Sequence, residues 1–327
     1  MAMDHHHKPE KESTFKAYQG RINRVMDHIE NHIEAPLTLD DLSRVACFSK
    51  YHFHRIFKAL TGESLFGFIQ RVRVEKAAMR LNMDPDAPVT RIALDCGFSD
   101  SAAFAKRFKQ RFGMAPTQWR KTRRAGLAEN FSRAKNFSRA EVISRLKNDS
   151  GTPASSTMPD APGAVPPRVS IQQLESMTIA YIRYIGPYKG DAGLFERLYR
   201  ELFSWALPRH LVPEEGVDCI SMYHDDLEIT SADHLRVSIG IRVPPATQVD
   251  ENVSRMVLHA GTYACARFIA GPDDYAPAWD WIYRCWLPQS GFLPDDRPSF
   301  EFFPGTENIR CTDKRIVDIC VPVRPIE

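Results

Sequence analysis

Along residues 49–62, SKYHFHRIFKALTG, the large apolar residues Phe53, Ile56, Phe57 and Leu60 fall at i, i+3, i+4 and i+7. That spacing predicts a short amphipathic helix, with Ser49 as its N-cap and Gly62 as its stop. Tyr51, His54, Arg55 and Lys58 repeat the spacing on the opposite side, which gives the helix a cationic, aromatic outer face. His52 and His54 are two residues apart and diverge on a helix, so no shared metal ion is expected. Alone, such a face is equally the solvated side of an ordinary surface helix.

The pattern occurs twice, and the repetition changes its meaning. DLSRVACFS (Asp41–Ser49) aligns with RIALDCGFS (Arg91–Ser99), and FHRIFKALTG (Phe53–Gly62) aligns with FAKRFKQRFG (Phe104–Gly113). Each unit predicts a short helix, a tight turn and a second amphipathic helix, a helix-turn-helix. Between the units, SLFGFIQRVRVEKAAMRLN (Ser64–Asn82) predicts one long helix. Such a helix spans roughly 28 Å at about 1.5 Å per residue. Successive major-groove faces on one side of a duplex lie about 34 Å apart. A single chain can therefore present two recognition helices to adjacent grooves.

Beyond this region the periodicity changes. Residues 148–167, NDSGTPASSTMPDAPGAVPP, cannot bury a core and predict a flexible linker, preceded by a basic segment from residue 126. After it come short alternating runs of β-branched and aromatic residues around two helical stretches. Met177–Leu202 and Thr262–Leu287 both read strand, Gly-Pro, helix. Two further strands follow each, near Cys219–His224 and Leu235–Val243, then near Pro298–Phe303 and Arg315–Val321. The expected fold is multidomain. A flexible start (1–17) precedes an all-α tandem helix-turn-helix domain (18–125). After the linker (126–167) comes an α+β domain (168–327) of two strand–helix–strand–strand repeats, with a cleft at their pseudo-twofold join.

Charge separates the halves further. Residues 1–125 carry 22 Lys and Arg against 14 Asp and Glu, whereas residues 151–327 carry 16 against 24. A basic front joined to an acidic back points to a polyanion-binding module attached to one with another task. The 327 residues suffice for two or three domains. No apolar run approaches the ~20 residues of a membrane span and no leader resembles a signal peptide. Seven cysteines without a CxxC pair favour reduced thiols. A cytoplasmic protein without a membrane partner is expected. The histidine-rich start, MAMDHHHK, is set aside.

Residues 18–125 resemble the DNA-binding domain of the AraC/XylS family of bacterial transcription regulators. The resemblance is carried by LTLDDLSRVACFSKYHFHRIFKALTG and VTRIALDCGFSDSAAFAKRFKQRFGMAPTQWRK. It implies that the helices after Ser49 and after Asp100 are the recognition helices. On the first, Lys50, Tyr51, His54, Arg55 and Lys58 face outward. Arg55 suits a bidentate contact to guanine, worth about 1–3 kcal/mol of discrimination. His54 and Tyr51 reach base edges or phosphates, and Lys58 positions the backbone. On the second helix the matching face is Ala102, Ala105, Lys106 and Lys109, so Ser101 and Lys106 are expected to contribute most, with Lys109 on phosphate. Base discrimination should be weaker there. Phe53, Phe57, Phe104, Phe108 and Phe112 are expected in the core.

In the back half, YIGPY, RPSFEFFPGT and DICVPV resemble the GyrI-like small-molecule-binding domain over residues 168–325. Strand alternation turns Phe300 and Phe302 one way, Glu301 and Phe303 the other. Ser221 and Tyr223 hold the matching positions of the first repeat. A carboxylate among aromatic rings requires compensation. A lipophilic cation supplies it, with cation–π attraction of about 0.5–2 kcal/mol. The resemblance likewise implies that Glu301 is the ligand's counter-charge. Glu301, Phe303, Tyr223, Trp281 and Tyr181 are the candidate ligand-binding residues; an edge-strand Glu301 facing water is the alternative. Trp279, Tyr283 and Trp286 share a helical stripe and are expected in the core.

The expected function is a DNA-binding transcription regulator that senses a lipophilic or cationic effector. Its partners would be promoter DNA, the effector and RNA polymerase, with no cofactor. Two other classes remain: a hydrolase using Glu301 as base and Tyr223 as acid, and a nucleoid-type DNA binder whose back domain holds a protein. Against an enzyme, the sequence has no GxSxG, P-loop, GxGxxG or HExxH motif, and HIENH (His28–His32) has the wrong order for a zinc protease.

Overall fold

The computed structural model describes residues 8–84, 86–123, 167–271, 274–295, 297–305 and 314–325. Apart from residue 167, the basic segment and linker expected over 126–167 lie outside the described residues. The front half consists of α1 (Lys8–Asn31), α2 (Leu39–Val45), α3 (Lys50–Thr61), α4 (Leu65–Met83), α5 (Val89–Asp95), α6 (Ser101–Phe112) and α7 (116–123). The flexible start expected through residue 17 is corrected from Lys8 onward, where α1 begins.

Local chemistry sets these boundaries. Thr38 Oγ1 accepts the amide of Asp41 at the start of α2, Ser64 Oγ that of Gly67 at α4, and Asp100 Oδ1 that of Ala103 at α6. Ser49 begins α3 with extended backbone but without a side-chain cap bond. Gly62 and Gly113 end α3 and α6 in the left-handed conformation, at φ 78° and 74°. The strut α4 is divided between two cores. Leu65, Phe68, Ile69 and Val72 pack with Ile22, Met26, Phe53 and Phe57. Val74, Ala77, Ala78 and Leu81 pack with Ile92, Phe104, Phe108 and Trp119. Each helix-turn-helix thus has its own apolar centre, and one helix carries both.

The back half is built on an antiparallel sheet. Its first repeat is β1 (Val169–Leu174), β2 (Met177–Ile185), α8 (Ala192–Ala206), β3 (Cys219–Tyr223) and β4 (Arg236–Val243). The second is β5 (Ser254–Leu258), β6 (Gly261–Ala270), α9 (Tyr275–Trp281), β7 (Phe292–Pro294), β8 (Ser299–Phe303) and β9 (Arg315–Pro325). The strand order is β1-β6-β9-β8-β3-β4-β2-β5, with β7 beside β9. The expected repeat gains a leading strand in each copy, and these strands are exchanged. β1 pairs with β6 of the second repeat, and β5 with β2 of the first. The pseudo-twofold passes between β3 and β8, where Ser221 stands opposite Glu301.

Pleating gives the sheet two different faces. Ala180 of β2 and Val237, Ile239 and Ile241 of β4 pack on α8 with Leu194, Leu198 and Leu202. The alternate residues Tyr181, Arg183, Arg236 and Ser238 turn the other way, toward α1. There Tyr181 Oη donates to Asp27 at 2.6 Å and Arg183 bonds the same carboxylate at 2.7 Å. Glu30 accepts from Arg236 and bonds His224 Nδ1 at 3.1 Å, while Arg236 also grips Asp225 at 2.6 Å. The Arg236 guanidinium lies over the Phe68 ring of α4, 5.2 Å from its centre. The two halves are therefore joined by a buried ion network.

Burial works against the charge on Glu30, but Arg236 and His224 outweigh it and hold its carboxyl well below the usual range. Its folded-state value is depressed, so its contribution to stability is present above the ordinary value of 4.5 and is lost as pH falls below it. Replacing Arg236 with Ala leaves Glu30 and Asp225 without this shared cation. The expected loss is about 3–5 kcal/mol, read by urea unfolding near neutral pH.

Candidate functional site

Two separate faces carry candidate chemistry. On α3, Phe53 and Phe57 are fully buried, while Lys50, Tyr51, His54, Arg55 and Lys58 are all exposed. Tyr51 is 80% exposed, an unusual position for a ring that has no partner to cover it. Lys50 lies 3.4 Å from Asp40, an exposed pair of little energetic weight that leaves the ammonium available to a phosphate. On α6, Phe104 and Phe108 are buried and Ser101, Lys106 and Lys109 are exposed. Arg107, not singled out from sequence, shares that exposed side and rests over the Phe66 ring of α4 at 5.6 Å. Cationic and hydroxyl groups face outward on the second helix of each unit, as the repeat predicts.

The second face lies on the sheet between α8 and α9. Glu301, in β8 near the middle of the sheet, is 3% exposed, so it is not an edge-strand glutamate facing water. Trp279 Nε1 donates to its Oε1 at 2.8 Å and Tyr223 Oη to its Oε2 at 3.0 Å. No Lys or Arg pairs with it among the described residues. Aromatic side chains surround this carboxylate. Tyr223 meets Trp279 edge-on at 5.6 Å and Tyr188 at 5.8 Å, and Tyr283 stacks on Trp279 at 6.1 Å. Tyr199 Oη bonds Ser221 Oγ at 3.1 Å, and Tyr275 faces Phe303 at 6.3 Å. All of these residues line one cavity. Burial raises the Glu301 carboxyl to about 7, and the two donated hydrogen bonds restrain that rise.

Of the candidate ligand residues, Glu301, Phe303 and Tyr223 meet in this cavity. Tyr181 and Trp281 do not, and both expectations are corrected. Tyr181 stands opposite Gly240 on the far face of the sheet, where pleating delivers its hydroxyl to Asp27 of α1. Trp281 packs edge-on against Phe268 of β6, within the core beneath α9. Trp279, Tyr283 and Trp286 pack against the core beneath α9, as their shared stripe predicts. Trp279 and Tyr283 also form part of the cavity wall, with Trp279 bonded to Glu301. Tyr188, Tyr199 and Tyr275 were missed. Tyr188 belongs to the YIGPY turn, whereas Tyr199 and Tyr275 follow an ordinary amphipathic spacing that carries no separate signal.

A tandem helix-turn-helix domain thus stands ahead of an α+β domain with an aromatic, carboxylate-bearing cavity. Residues 42–122 match a helix-turn-helix domain, and residues 167–324 match the GyrI-like small molecule binding domain. The right origin-binding protein of Escherichia coli K12 is 32% identical over 103 residues, which are 32% of this chain and 35% of that protein. The match therefore spans about a third of that relative's length. The multiple antibiotic resistance protein MarA of the same organism is 31% identical over 105 residues, 82% of its length and 32% of this chain. A crystal structure of a transcriptional regulator with an AraC-type DNA-binding domain, from Chromobacterium violaceum, is 26% identical. It covers 32% of this chain and 93% of that one, with a TM-score of 0.31. The chain belongs to the AraC/XylS family of transcription regulators, with a GyrI-like domain behind its helix-turn-helix domain.

The raised value of Glu301 has a definite sign. A carboxyl whose folded-state value exceeds its unfolded one favours folding below about 4.5 and loses that contribution as pH climbs through about 7. Glu301→Gln should thus unfold at higher urea than the parent at pH 8, by at most about 3 kcal/mol.

Proposed function

We propose that the protein regulates transcription by binding duplex DNA through α3 and α6 and by sensing a lipophilic cation in the cavity at Glu301. The observation that supports this most is a buried carboxylate with two donors, aromatic walls and, among the described residues, no cationic partner, on the same chain as two outward-facing cationic helices. A bound cation supplies the missing charge, while the rings of Tyr223, Trp279 and Tyr188 cover its apolar groups. The front domain then presents Arg55, His54 and Tyr51 of α3 and Ser101 and Lys106 of α6 to base edges, and Lys50, Lys58 and Lys109 to phosphates. RNA polymerase is the proposed partner at a bound promoter.

Two measurements test this reading. Arg55→Ala should weaken specific duplex binding by about 1–3 kcal/mol and relax base preference at one position. Lys109→Ala should weaken binding to all sequences alike and reduce the salt slope by about one. A full-length protein that binds no duplex at low salt overturns the proposal. For the cavity, tetraphenylphosphonium should quench tryptophan fluorescence, with affinity falling about tenfold per pH unit below about 7, as Glu301 takes up a proton. The hydrolase reading draws its support from the same residue, since a carboxyl near 7 is suited to general-base work beside Tyr223. Product formation abolished by Glu301→Gln would favour it over a sensor.

A further inference from the structure

One strand of the sheet meets both the cavity and the DNA-binding half. Alternation along β3 sends Tyr223 to Glu301 on one face, and the next residue, His224, to Glu30 of α1 on the other. The chain then runs through residues 225–230 across the front domain. Glu228 receives Arg123 of α7 at 2.7 Å. Ile229 is 7% exposed and buried among Val74, Leu81, Phe104, Phe108 and Trp119, the core of the second helix-turn-helix. Thr230 Oγ1 donates to Glu75 of α4 at 3.0 Å, and Glu75 in turn receives Arg111 of α6 at 2.8 Å.

The first helix-turn-helix is tied to the back domain differently. Its α1 is held by Arg183 and Arg236, which project from β2 and β4 in the interior of the sheet. His224 adds to that grip, but its other nitrogen is fixed by Ser238 of β4 at 2.9 Å, and Glu30 keeps Arg236 without it. Residues 228–230 thus meet the front domain at Arg123 of α7, in the core of the second unit and at Glu75 of α4, whose Oε2 also takes Arg71 at 2.9 Å. Beside this run, Tyr188 Oη is buried without a hydrogen-bond partner among the described residues, between the aromatic wall and Asp225. An unpaired buried hydroxyl costs free energy that a shift of its neighbours can recover.

We infer that an effector bound at Glu301 acts on the second helix-turn-helix unit alone, through residues 224–230, and leaves the first unit as a fixed anchor on DNA. This rests on Glu301 being the effector site. A cation that draws on Glu301 competes with Tyr223 for its oxygens. Displacement of Tyr223 moves the end of β3, and the loop conveys this through Ile229 and Thr230 to α6. The chemistry that changes is therefore that of Ser101, Lys106 and Lys109, not that of Arg55.

Hydrogen exchange on the full chain, with and without saturating tetraphenylphosphonium, tests this directly, with tryptophan quenching as an independent measure of binding. Amides of Ser101–Phe112 should change exchange rate by about threefold or more, while those of Lys50–Thr61 stay unchanged. Thr230→Val should retain probe binding and lose most of the α6 response. Ile229→Val is a milder second variant if the first fails to fold, and should weaken the response. Quenching with an equal change in α3 and α6, or with no change in α6, overturns the inference and leaves the sensor reading intact. Absence of any quenching overturns both.

Discussion

Charge taken out of water must be matched by opposite charge or hydrogen bonds, and the joint between the two halves meets that requirement with a shared network. Glu30 of α1 sits between Arg236 and His224, Asp27 between Arg183 and Tyr181, and Asp225 completes the shell around Arg236. Each charge is tolerated only in the presence of the others. The geometry they enforce decides which side of the sheet faces the DNA-binding helices. The opposite side carries α8 and α9 with the aromatic part of the cavity between them, and the same cavity is also lined by Glu30 of α1 and Glu75 of α4.

The cavity breaks that same rule in a controlled way. Glu301 has hydrogen bonds but no counter-charge among the described residues, so burial disfavours its ionised form and raises its carboxyl to about 7. Packing of the surrounding core holds the uncompensated group in place: Phe300, next to it in β8, and Ile319, opposite it in β9, are fully buried. A carboxylate kept at a cost to the folded state is expected at a functional site rather than a structural one.

Much of the fold was legible because two periodicities were strong. The duplicated i, i+3, i+4, i+7 stripes gave the helices of the front half, and Phe53, Phe57, Phe104 and Phe108 are buried as that spacing requires. The β3, β4, β8 and β9 strands lie close to where alternation placed them. The leading strands were not legible. β1 reads VSIQQL and β5 reads SRMVL, and both are sheet edges with mixed exposure that lack clean alternation. In the cavity, Glu301, Tyr223 and Phe303 followed from strand parity. Parity alone does not say which face a helix covers, however, and so does not tell that the Tyr181 hydroxyl goes to Asp27 of α1 and not to the cavity. A helical stripe likewise does not distinguish a core from a cavity wall. Trp279 and Tyr283 satisfy both descriptions, and only the partner of the indole nitrogen reveals the second.

The exchange of β1 and β5 has a mechanical consequence. Each repeat lends its outermost strand to the other, so the halves are cross-stitched at both margins as well as joined at β3 and β8. Hinging them apart like a clamshell would tear backbone ladders at three places at once. Guests of different shape must instead be accommodated by rotation of the tyrosine and tryptophan rings and by small shifts at strand ends such as that of β3, with the ladders between the repeats kept intact.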